Sequence, residues 1–245
     1  VRLILYKGDS KLETIRELEG AKGYAVGFEG LIDYLKALLP SNEEIGKAFR
    51  TEVPVYPELV LRELVANAII HQDFNLTGTG PMVELFETRL EITNPGVPLV
   101  DTQRFLGSPP HSRNEALASF MRRIGICEER GSGIVKVITE TELYQLPAPI
   151  FEQTEQHTRV ILFSHKDYKD MDVEDRIRAC YQHCCLKYVN KKPMNNTSLR
   201  ERLSINERSS AVVSRLIKQA IDAGLIRLYD PKANRKFYRY VPFWA

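Results

Sequence analysis

The chain has 245 residues, 43% of them apolar and 27% charged, a balance typical of a packed, soluble protein with one large or two ordinary domains. Its apolar runs are shorter than the roughly 18–20 residues of a membrane span, and its start does not form a signal peptide, so we expect a cytoplasmic protein that does not enter a membrane. The cysteines, at positions 127, 180, 184 and 185, match no disulfide framework or zinc pattern, so we expect reduced thiols.

Charge is distributed unevenly along the chain. Residues 1–170 contain 19 Lys and Arg against 25 Asp and Glu, whereas residues 171–245 contain 15 against 7, and these balances of −6 and +8 give the net charge of +2. A basic segment that follows an acidic body is typical of an appended nucleic-acid-binding module. A basic surface that merely faces solvent is the alternative.

The first third of the chain is predicted to contain two strands and two helices. The strands cover Arg2–Tyr6 and residues 51–56, and the first helix covers residues 27–39, where Pro40 ends it. Pro57 suits the first turn of the second helix, which is expected to end near Gln72.

The second helix carries polar residues that an ordinary core helix does not need. Glu63, Asn67 and His71 are spaced i, i+4, i+8 and therefore line one stripe. The amide oxygen of Asn67 can bind Mg²⁺, which prefers oxygen ligands, and Glu63 can orient or deprotonate a water molecule. The helix is thus a candidate nucleotide site. A surface ion pair of Glu63 and a helix-end hydrogen bond of His71 are the simpler alternatives.

The middle of the chain is expected to alternate strands, loops and helices. Two alternating apolar runs predict a hairpin, and a charged stretch without core periodicity is interpreted as a linker between two domains. The expected elements are strands at 82–86 and 89–93, a loop at 97–114, helices at 115–124 and 134–143, strands near 150–152 and 159–163, and the linker at 166–172 between domains at 1–165 and 173–245.

Two further motifs suit a nucleotide. Asn94-Pro95-Gly96 closes a predicted strand, where Asn94 can hydrogen-bond a base edge and Gly96 lets a ligand approach the backbone. Gly131-Ser132-Gly133 opens a predicted helix, so that Gly131 and Gly133 leave backbone N–H groups for phosphate. A plain turn and a plain helix-start loop are the alternatives. Arg113, in the loop between the motifs, is expected either to meet phosphate or to form a salt bridge.

The order of these elements resembles that of the gyrase, histidine-kinase and mismatch-repair class of ATP-binding folds. Glu63-x-x-x-Asn67 is similar to the N box of that class, Asn94-Pro95-Gly96 to its Asp-x-Gly box, and Gly131-x-Gly133 to its second glycine box. More closely, four runs resemble the body of RecG-related ATP-dependent DNA helicase-like transcriptional regulators of bacteria and archaea. These runs are RELVANAIIHQDF, RLEITNPGVP, SRNEALASFMRRIG and EERGSGI.

The resemblance covers roughly residues 1–165 and implies an α+β protein. Its first domain would be a two-layer α/β sandwich with a mixed sheet. In that family a Schlafen/AlbA-type module usually precedes this body, and a winged helix often follows it. The chain begins at Val1 without a methionine, so we expect a fragment that lacks the preceding module. The residues implied to bind ATP and Mg²⁺ are Asn67, His71, Asn94, Gly96, Arg113, Gly131 and Gly133, with Asn67 as the metal ligand.

The sequence departs from this pattern at two positions. Asn94 replaces the Asp of the Asp-x-Gly box, although Asn still accepts a hydrogen bond from an adenine amino group. Ile70 stands where gyrase-type N boxes carry a further Asp, which weakens metal binding and argues more against hydrolysis than against binding. The chain has no Gly-x-x-x-x-Gly-Lys-Ser/Thr P-loop, so we do not expect a helicase motor.

The last 73 residues are predicted to form three helices and a basic hairpin, the order of a winged helix. The helices cover residues 173–188, 196–203 and 207–223, and the strands cover 225–229 and 236–241. Long cationic side chains on the third helix and the hairpin are expected to contact bases and phosphates of double-stranded DNA. These residues are Arg208, Arg215, Lys218, Lys232, Arg235, Lys236 and Arg239.

Together these features predict a nucleotide-sensing, DNA-binding transcriptional regulator. Two rivals stay open for the body: a weak ATPase acting on DNA with Glu63 as its base, and a scaffold whose pocket has lost the nucleotide. For the C-terminal part, a winged helix used for protein contact or for a homodimer is the alternative.

Overall fold

The computed structural model describes residues 1–39, 41–45, 50–127 and 131–245, with the backbone alone at 41–45 and 50–54. Pro40 and residues 128–130 of the run EERGSGI therefore lie outside the described residues. The chain divides into two units by its internal contacts. The first comprises Val1–Glu140 and Pro149–Ser164, and the second comprises Thr141–Ala148 and His165–Ala245.

The first unit follows the predicted order of elements, with two strands that the sequence did not predict, β2 and β3. A 3-10 turn at Thr102–Arg104 interrupts the long loop before α3. The elements are β1 (Arg2–Tyr6), β2 (Thr14–Glu19), α1 (Tyr24–Leu38), β3 (Ser41–Ile45), β4 (Arg50–Pro54), α2 (Glu58–His71), β5 (Met82–Leu85), β6 (Arg89–Pro95), α3 (Glu115–Arg123), α4 (Gly133–Leu143), β7 (Ile150–Gln153) and β8 (His157–Phe163). The last three residues of α4 already belong to the second unit.

Six of these strands form one mixed sheet in the order β2-β1-β5-β6-β8-β7. β1 and β5 are parallel, and the other neighbours are antiparallel. β3 and β4 pair antiparallel in a separate two-stranded sheet. A mixed sheet combined with helices is the arrangement expected of an α+β fold.

One face of the large sheet carries the core of the first unit. Because side chains alternate between faces along a strand, Leu90 and Ile92 of β6 point to the same side, and both are buried. α2 packs against β6 and against α1. Asn94 is the next residue on that face, so the apolar face ends in a polar group beneath α2.

The opposite face of the sheet buries two facing carboxylates. Glu84 of β5 lies directly opposite Glu91 of β6, and both side chains are almost fully buried. Lys11 lies 2.7 Å from Glu84, and Arg89 lies 2.7 Å from Glu91. These cations offset the repulsion that two like charges on neighbouring strands would otherwise cause.

The second unit contains three helices and a short two-stranded sheet. α7 contacts both α5 and α6, while β10 pairs with β9 and contacts α5. Side-chain caps start two of the helices: Asp172 accepts from the N–H of Asp175, and Asn195 forms a capping box with Ser198. The elements are α5 (Val173–Val189), α6 (Asn196–Arg202), α7 (Ser210–Asp222), β9 (Ile226–Leu228) and β10 (Tyr240–Pro242).

Two predictions for this part of the chain need correction. The third helix is preceded by a 3-10 turn at Glu207–Ser209, so Arg208 lies in that turn and not in α7. The hairpin is shorter than predicted, because the N–H of Phe237 donates to the carbonyl of Asn234 and closes a second 3-10 turn at Arg235–Phe237. Lys236 therefore lies in a turn, and the strand starts only at Tyr240.

The segment predicted as a linker is packed within the second unit. Met171 is buried, and Lys166 lies 3.4 Å from the carboxylate of Asp175. Arg176 donates to the carbonyls of Tyr168 and Lys169. The ammonium of Lys166 and these two backbone carbonyls thus connect the segment to α5.

The structure shows the state of the cysteines and the lengths of the helices. All four cysteines are free thiols, and the three on α5 are fully buried. Within the described residues, no helix combines the length and the apolar character that crossing a membrane requires.

Candidate nucleotide site

A cavity of about 640 Å³ in the first unit brings most of the predicted site residues together. Its walls come from α2, from β6 and β8, from the loop before α3, from α3 itself and from the start of α4. Gly96 is the one predicted residue of this site that does not line it. The predicted residues that do are Glu63, Asn67, His71, Asn94, Arg113, Gly131 and Gly133.

The polar stripe of α2 faces this cavity. Helical periodicity places Glu63, Asn67 and His71 on one side of α2. Most of the apolar side chains between them are buried on the other sides of the helix. Ile70 also lines the cavity, so the position at which gyrase-type motifs carry a carboxylate is apolar here.

The floor of the cavity is formed by a facing pair on neighbouring strands. Asn94 of β6 lies directly opposite Thr158 of β8, and both line the cavity. The amide nitrogen of Asn94 donates to the carbonyl of Pro95 at 3.1 Å, and the hydroxyl of Thr158 donates to the carbonyl of Gly96 at 2.8 Å. Because Thr158 has one O–H and the amide of Asn94 has two N–H groups, the pair can still offer two acceptor oxygens and one amide N–H to a ligand.

Glu63 is held between two parts of α4. Its carboxylate lies 3.4 Å from the ammonium of Lys136. A side chain at Gly133 would place its Cβ 2.7 Å from Oε2 of Glu63 and 3.7 Å from Nδ2 of Asn67. Glycine at this position is therefore what allows the start of α4 to approach both α2 residues.

Arg113 and Asn114 together close the carboxyl end of α2. Arg113 donates to the carbonyls of His71 and Val97 and lies 3.5 Å from the carboxylate of Asp73. Asn114 donates to the carbonyls of Ile70 and Gln72, each at 2.7 Å. Carbonyls at a helix end need such partners. Arg113 thus forms the salt bridge that was one of its two predicted roles, and it ties the loop to the carboxyl end of α2.

The other two predicted glycines make close approaches of their own. Gly96 has φ +102°, and a side chain there would place its Cβ 3.0 Å from the Cβ of Asp73. Glycine at position 96 therefore allows the segment after α2 to pass close to the end of β6. Gly131 has φ +63° and packs against Pro110, at the rim of the cavity.

Burial changes the acid–base behaviour of two groups in the cavity. Burial, and then the charge of Arg113, lower the pKa of His71 below its ordinary value of 6.5, so the ring is uncharged at neutral pH. Burial raises the pKa of the Cys127 thiol, with Arg122 opposing and Glu63 reinforcing the shift. Cys127 lines the cavity, whereas Cys180, Cys184 and Cys185 do not.

Sequence reasoning missed three residues of this site. Thr158 lies 64 positions after Asn94 and becomes its neighbour only through the pairing of β6 with β8. Lys136 lies three residues after Gly133, which is about one helical turn. This spacing was the one feature of the sequence that could have placed Lys136 beside the glycine motif. Asn114 was noted only as part of the loop, because nothing local shows that it caps α2.

The residues predicted to contact DNA all lie in the second unit. Arg215 and Lys218 are on the exposed side of α7, opposite its buried Val213 and Leu216. Arg208 is exposed in the preceding 3-10 turn. The remaining four are in the segment between β9 and β10: Lys232, Arg235 and Lys236 are exposed, and Arg239 is half-buried.

Part of the chain matches a known family model. Residues 78–162 match the family model described as "Putative ATP-dependent DNA helicase recG C-terminal". The match supports a RecG-related, ATPase-like domain in this part of the chain. The matched residues include β6 and β8, which form the floor of the cavity, together with the loop before α3, α3 and α4. They do not include α2.

The whole chain is similar in structure to the DIP2311 protein from Corynebacterium diphtheriae, with a TM-score of 0.61 and 16% sequence identity. The similarity covers 99% of this chain and 51% of that protein, so the chain spans about half its length. Identity this low shows a shared fold alone. A comparison with curated proteins found no match.

Proposed function

We propose that the first unit binds ATP with Mg²⁺ in the cavity beside α2, and that the second unit is a winged helix that binds double-stranded DNA. The protein would then be a nucleotide-sensing transcriptional regulator. The observation that carries the proposal is the convergence of the Glu63–Asn67–His71 stripe, the Asn94–Thr158 floor and the glycine-led start of α4 on one cavity. The family match to the ATPase-like domain supports it.

The floor of the cavity suits a base that carries an amino group. Asn94 and Thr158 present two acceptor oxygens there, and the exocyclic amine of adenine is a donor. A pocket built from such acceptors discriminates against a base that lacks the donor. We therefore assign the adenine to the floor between β6 and β8.

The opposite end of the cavity suits the phosphates. Gly131 and Gly133 stand at the start of α4, where backbone N–H groups and the helix dipole favour an anion. The hydroxyl oxygens of Ser112 and Ser132 are buried and have no hydrogen-bond partner among the described residues. Buried hydroxyls of this kind are the groups that a phosphate oxygen would satisfy.

The metal site fits an ion held mainly by the nucleotide. Within the described residues, no group of three His, Cys, Asp or Glu side chains could hold a metal ion. Mg²⁺ is commonly bound by one or two protein oxygens together with phosphates. The amide oxygen of Asn67 would supply the protein ligand, and the bound ion would neutralise charge on the phosphates.

One accessible thiol offers a direct test of occupancy. We expect a small thiol reagent to modify Cys127 alone in the folded protein at about pH 8, because the other three cysteines are fully buried. ATP with Mg²⁺ is expected to slow this reaction, since Cys127 lines the cavity. Mass spectrometry of intact protein gives the rate, and C127S is the control that should stay unmodified. An unchanged rate at saturating nucleotide would contradict the proposal.

DNA binding by the second unit is tested by its salt dependence. If about five phosphates are contacted, the plot of log affinity against log salt concentration should have a slope of about −4 to −5. The double change Arg215→Ala with Lys218→Ala is expected to make that slope shallower by about 2. Lys22→Ala, an exposed change in the first unit, serves as the matched control. A flat salt response would count against DNA as the partner.

One observation favours weak ATP hydrolysis as a second function. Glu63 lies beside Asn67 and beside the start of α4, the end of the cavity assigned to phosphate. There it can accept a proton from an attacking water. Glu63→Gln is then expected to abolish slow phosphate release while leaving the affinity for ATP nearly unchanged. Equal turnover by the two proteins would remove Glu63 as the base.

A further inference from the structure

The segment that connects β9 to β10, residues 229–239, exposes two aromatic rings. Tyr229 is 63% exposed and Phe237 is 59% exposed, the highest values among the exposed aromatic side chains of the described residues. Among those residues, neither ring stacks on another aromatic side chain. Folding thus leaves two large apolar surfaces in water, a feature typical of an interaction site.

The same segment is strongly basic. It contains four cationic side chains and one acidic residue, Asp230. The carboxylate of Asp230 accepts the N–H of Lys232 at 2.9 Å and so serves the turn itself. Within the described residues, no ion pair involves any of the cations. A partner for this segment must therefore be anionic as well as able to cover aromatic rings. The four cations are Lys232, Arg235, Lys236 and Arg239.

The backbone of this segment is folded before any partner binds. The N–H of Tyr229 donates to the carbonyl of Arg239 at 2.9 Å, and the N–H of Phe237 donates to the carbonyl of Asn234 at 2.7 Å. The ring of Tyr238 packs edge-on against Tyr240. Because the turn is already ordered, little conformational entropy remains to be lost when the two exposed rings bind.

Aromatic rings interleaved with cations match single-stranded nucleic acid better than a protein surface. Bases stack on aromatic side chains while Lys and Arg contact the backbone phosphates. Lysine is depleted from the buried centres of protein interfaces. In a paired duplex the faces of the bases are covered by their neighbours, so stacking needs an unpaired or unstacked base.

We propose that residues 229–239 bind DNA at unpaired bases, with Tyr229 and Phe237 stacking on the bases and the cations contacting adjacent phosphates. The proposal rests on the DNA binding proposed for the second unit and specifies its target. That target is a DNA duplex interrupted by unpaired bases. In it α7 contacts the paired region, and residues 229–239 contact the unpaired bases.

The test compares two fluorescent DNA duplexes of equal length and charge, one fully paired and one with three central mismatches. Fluorescence anisotropy with the full chain should show about tenfold tighter binding to the mismatched duplex. Y229A combined with F237A should bring this ratio close to 1 while leaving affinity for the paired duplex and its salt dependence nearly unchanged. F120A, which removes an exposed aromatic ring from the first unit, should keep the tenfold preference.

The outcomes separate this inference from the proposed function. If the chain binds neither DNA, both fail. If it binds both DNAs equally, or if the preference survives in the double variant, DNA binding stands and the stacking role is overturned. Binding to vesicles that contain about 30% phosphatidylserine is measured as well. Vesicle binding that depends on Phe237, without a preference for mismatched DNA, would assign the segment to a membrane surface instead.

Discussion

Glu142→Ala is expected to lower the unfolding free energy of the second unit by about 3–5 kcal/mol, the usual cost of leaving a buried charge without its partner. Nδ1 of His183 lies 3.0 Å from both oxygens of Glu142, and Nε of Arg202 lies 3.4 Å from one of them. His183 and Arg202 are 3 and 5% exposed. Burial lowers the pKa of Arg202, and the neighbouring Glu142 carboxylate opposes that shift, so the carboxylate offsets part of the cost of burying this guanidinium.

The single tryptophan of the chain makes this loss measurable. Trp244 belongs to the second unit, where its indole N–H donates to the hydroxyl of Tyr181 and its ring packs against Tyr188. Its fluorescence in a urea titration therefore reports the unfolding of that unit. Glu201→Ala, an exposed change on α6, is the matched control and should shift stability by no more than about 0.5 kcal/mol. A shift equally small for Glu142→Ala would show that the contacts of Glu142 with His183 and Arg202 do not stabilise the second unit.

The sequence was most informative where the repeat of a helix or a strand determines the direction of a side chain. The spacing of Glu63, Asn67 and His71 placed all three in one cavity, because four residues make about one helical turn. Alternation along β6 likewise placed Asn94 on the face that holds Leu90 and Ile92. Both predictions needed only local geometry.

Features that depend on pairing between distant segments were not predictable. β2 is an edge strand whose residues are all exposed, so it has no apolar alternation to reveal it. Thr158 joins the floor only because β8 pairs with β6 in one register. The close approach of Gly96 to Asp73 likewise depends on a segment that lies 23 positions earlier in the chain.

The C-terminal segment shows a different limit of sequence reasoning. The alternating residues near Lys236 and Tyr238 were interpreted as a strand, but a 3-10 turn at Arg235–Phe237 competes successfully with it. Alternation alone cannot distinguish a strand from a turn when the segment leaves its aromatic ring in solvent. That same departure exposes Phe237 and supports the inference about unpaired bases.

Asn67→Ala is expected to weaken the binding of ATP with Mg²⁺ by about 10- to 100-fold. The amide would bind the metal–phosphate end of the nucleotide, and a hydrogen bond or ligand to a charged group contributes about 1.5–3 kcal/mol. Truncation should cost little stability, because Asn67 is half-buried and lines a cavity. Asn234→Ala, at an exposed amide in the second unit with no cap hydrogen bond, is the matched control.

The binding of ATP and Mg²⁺ in the cavity beside α2 is tested most directly by isothermal titration calorimetry. The titration is run at two temperatures, because the binding enthalpy can be close to zero at one of them. We expect one site per chain in the unaltered protein and in N234A, and strongly weakened binding in N67A. ITP, whose base lacks the exocyclic amine, should bind about tenfold more weakly than ATP because the floor oxygens lose their donor. Absence of ATP binding, or equal affinity in N67A and the unaltered protein, would contradict the assignment of this cavity to a nucleotide.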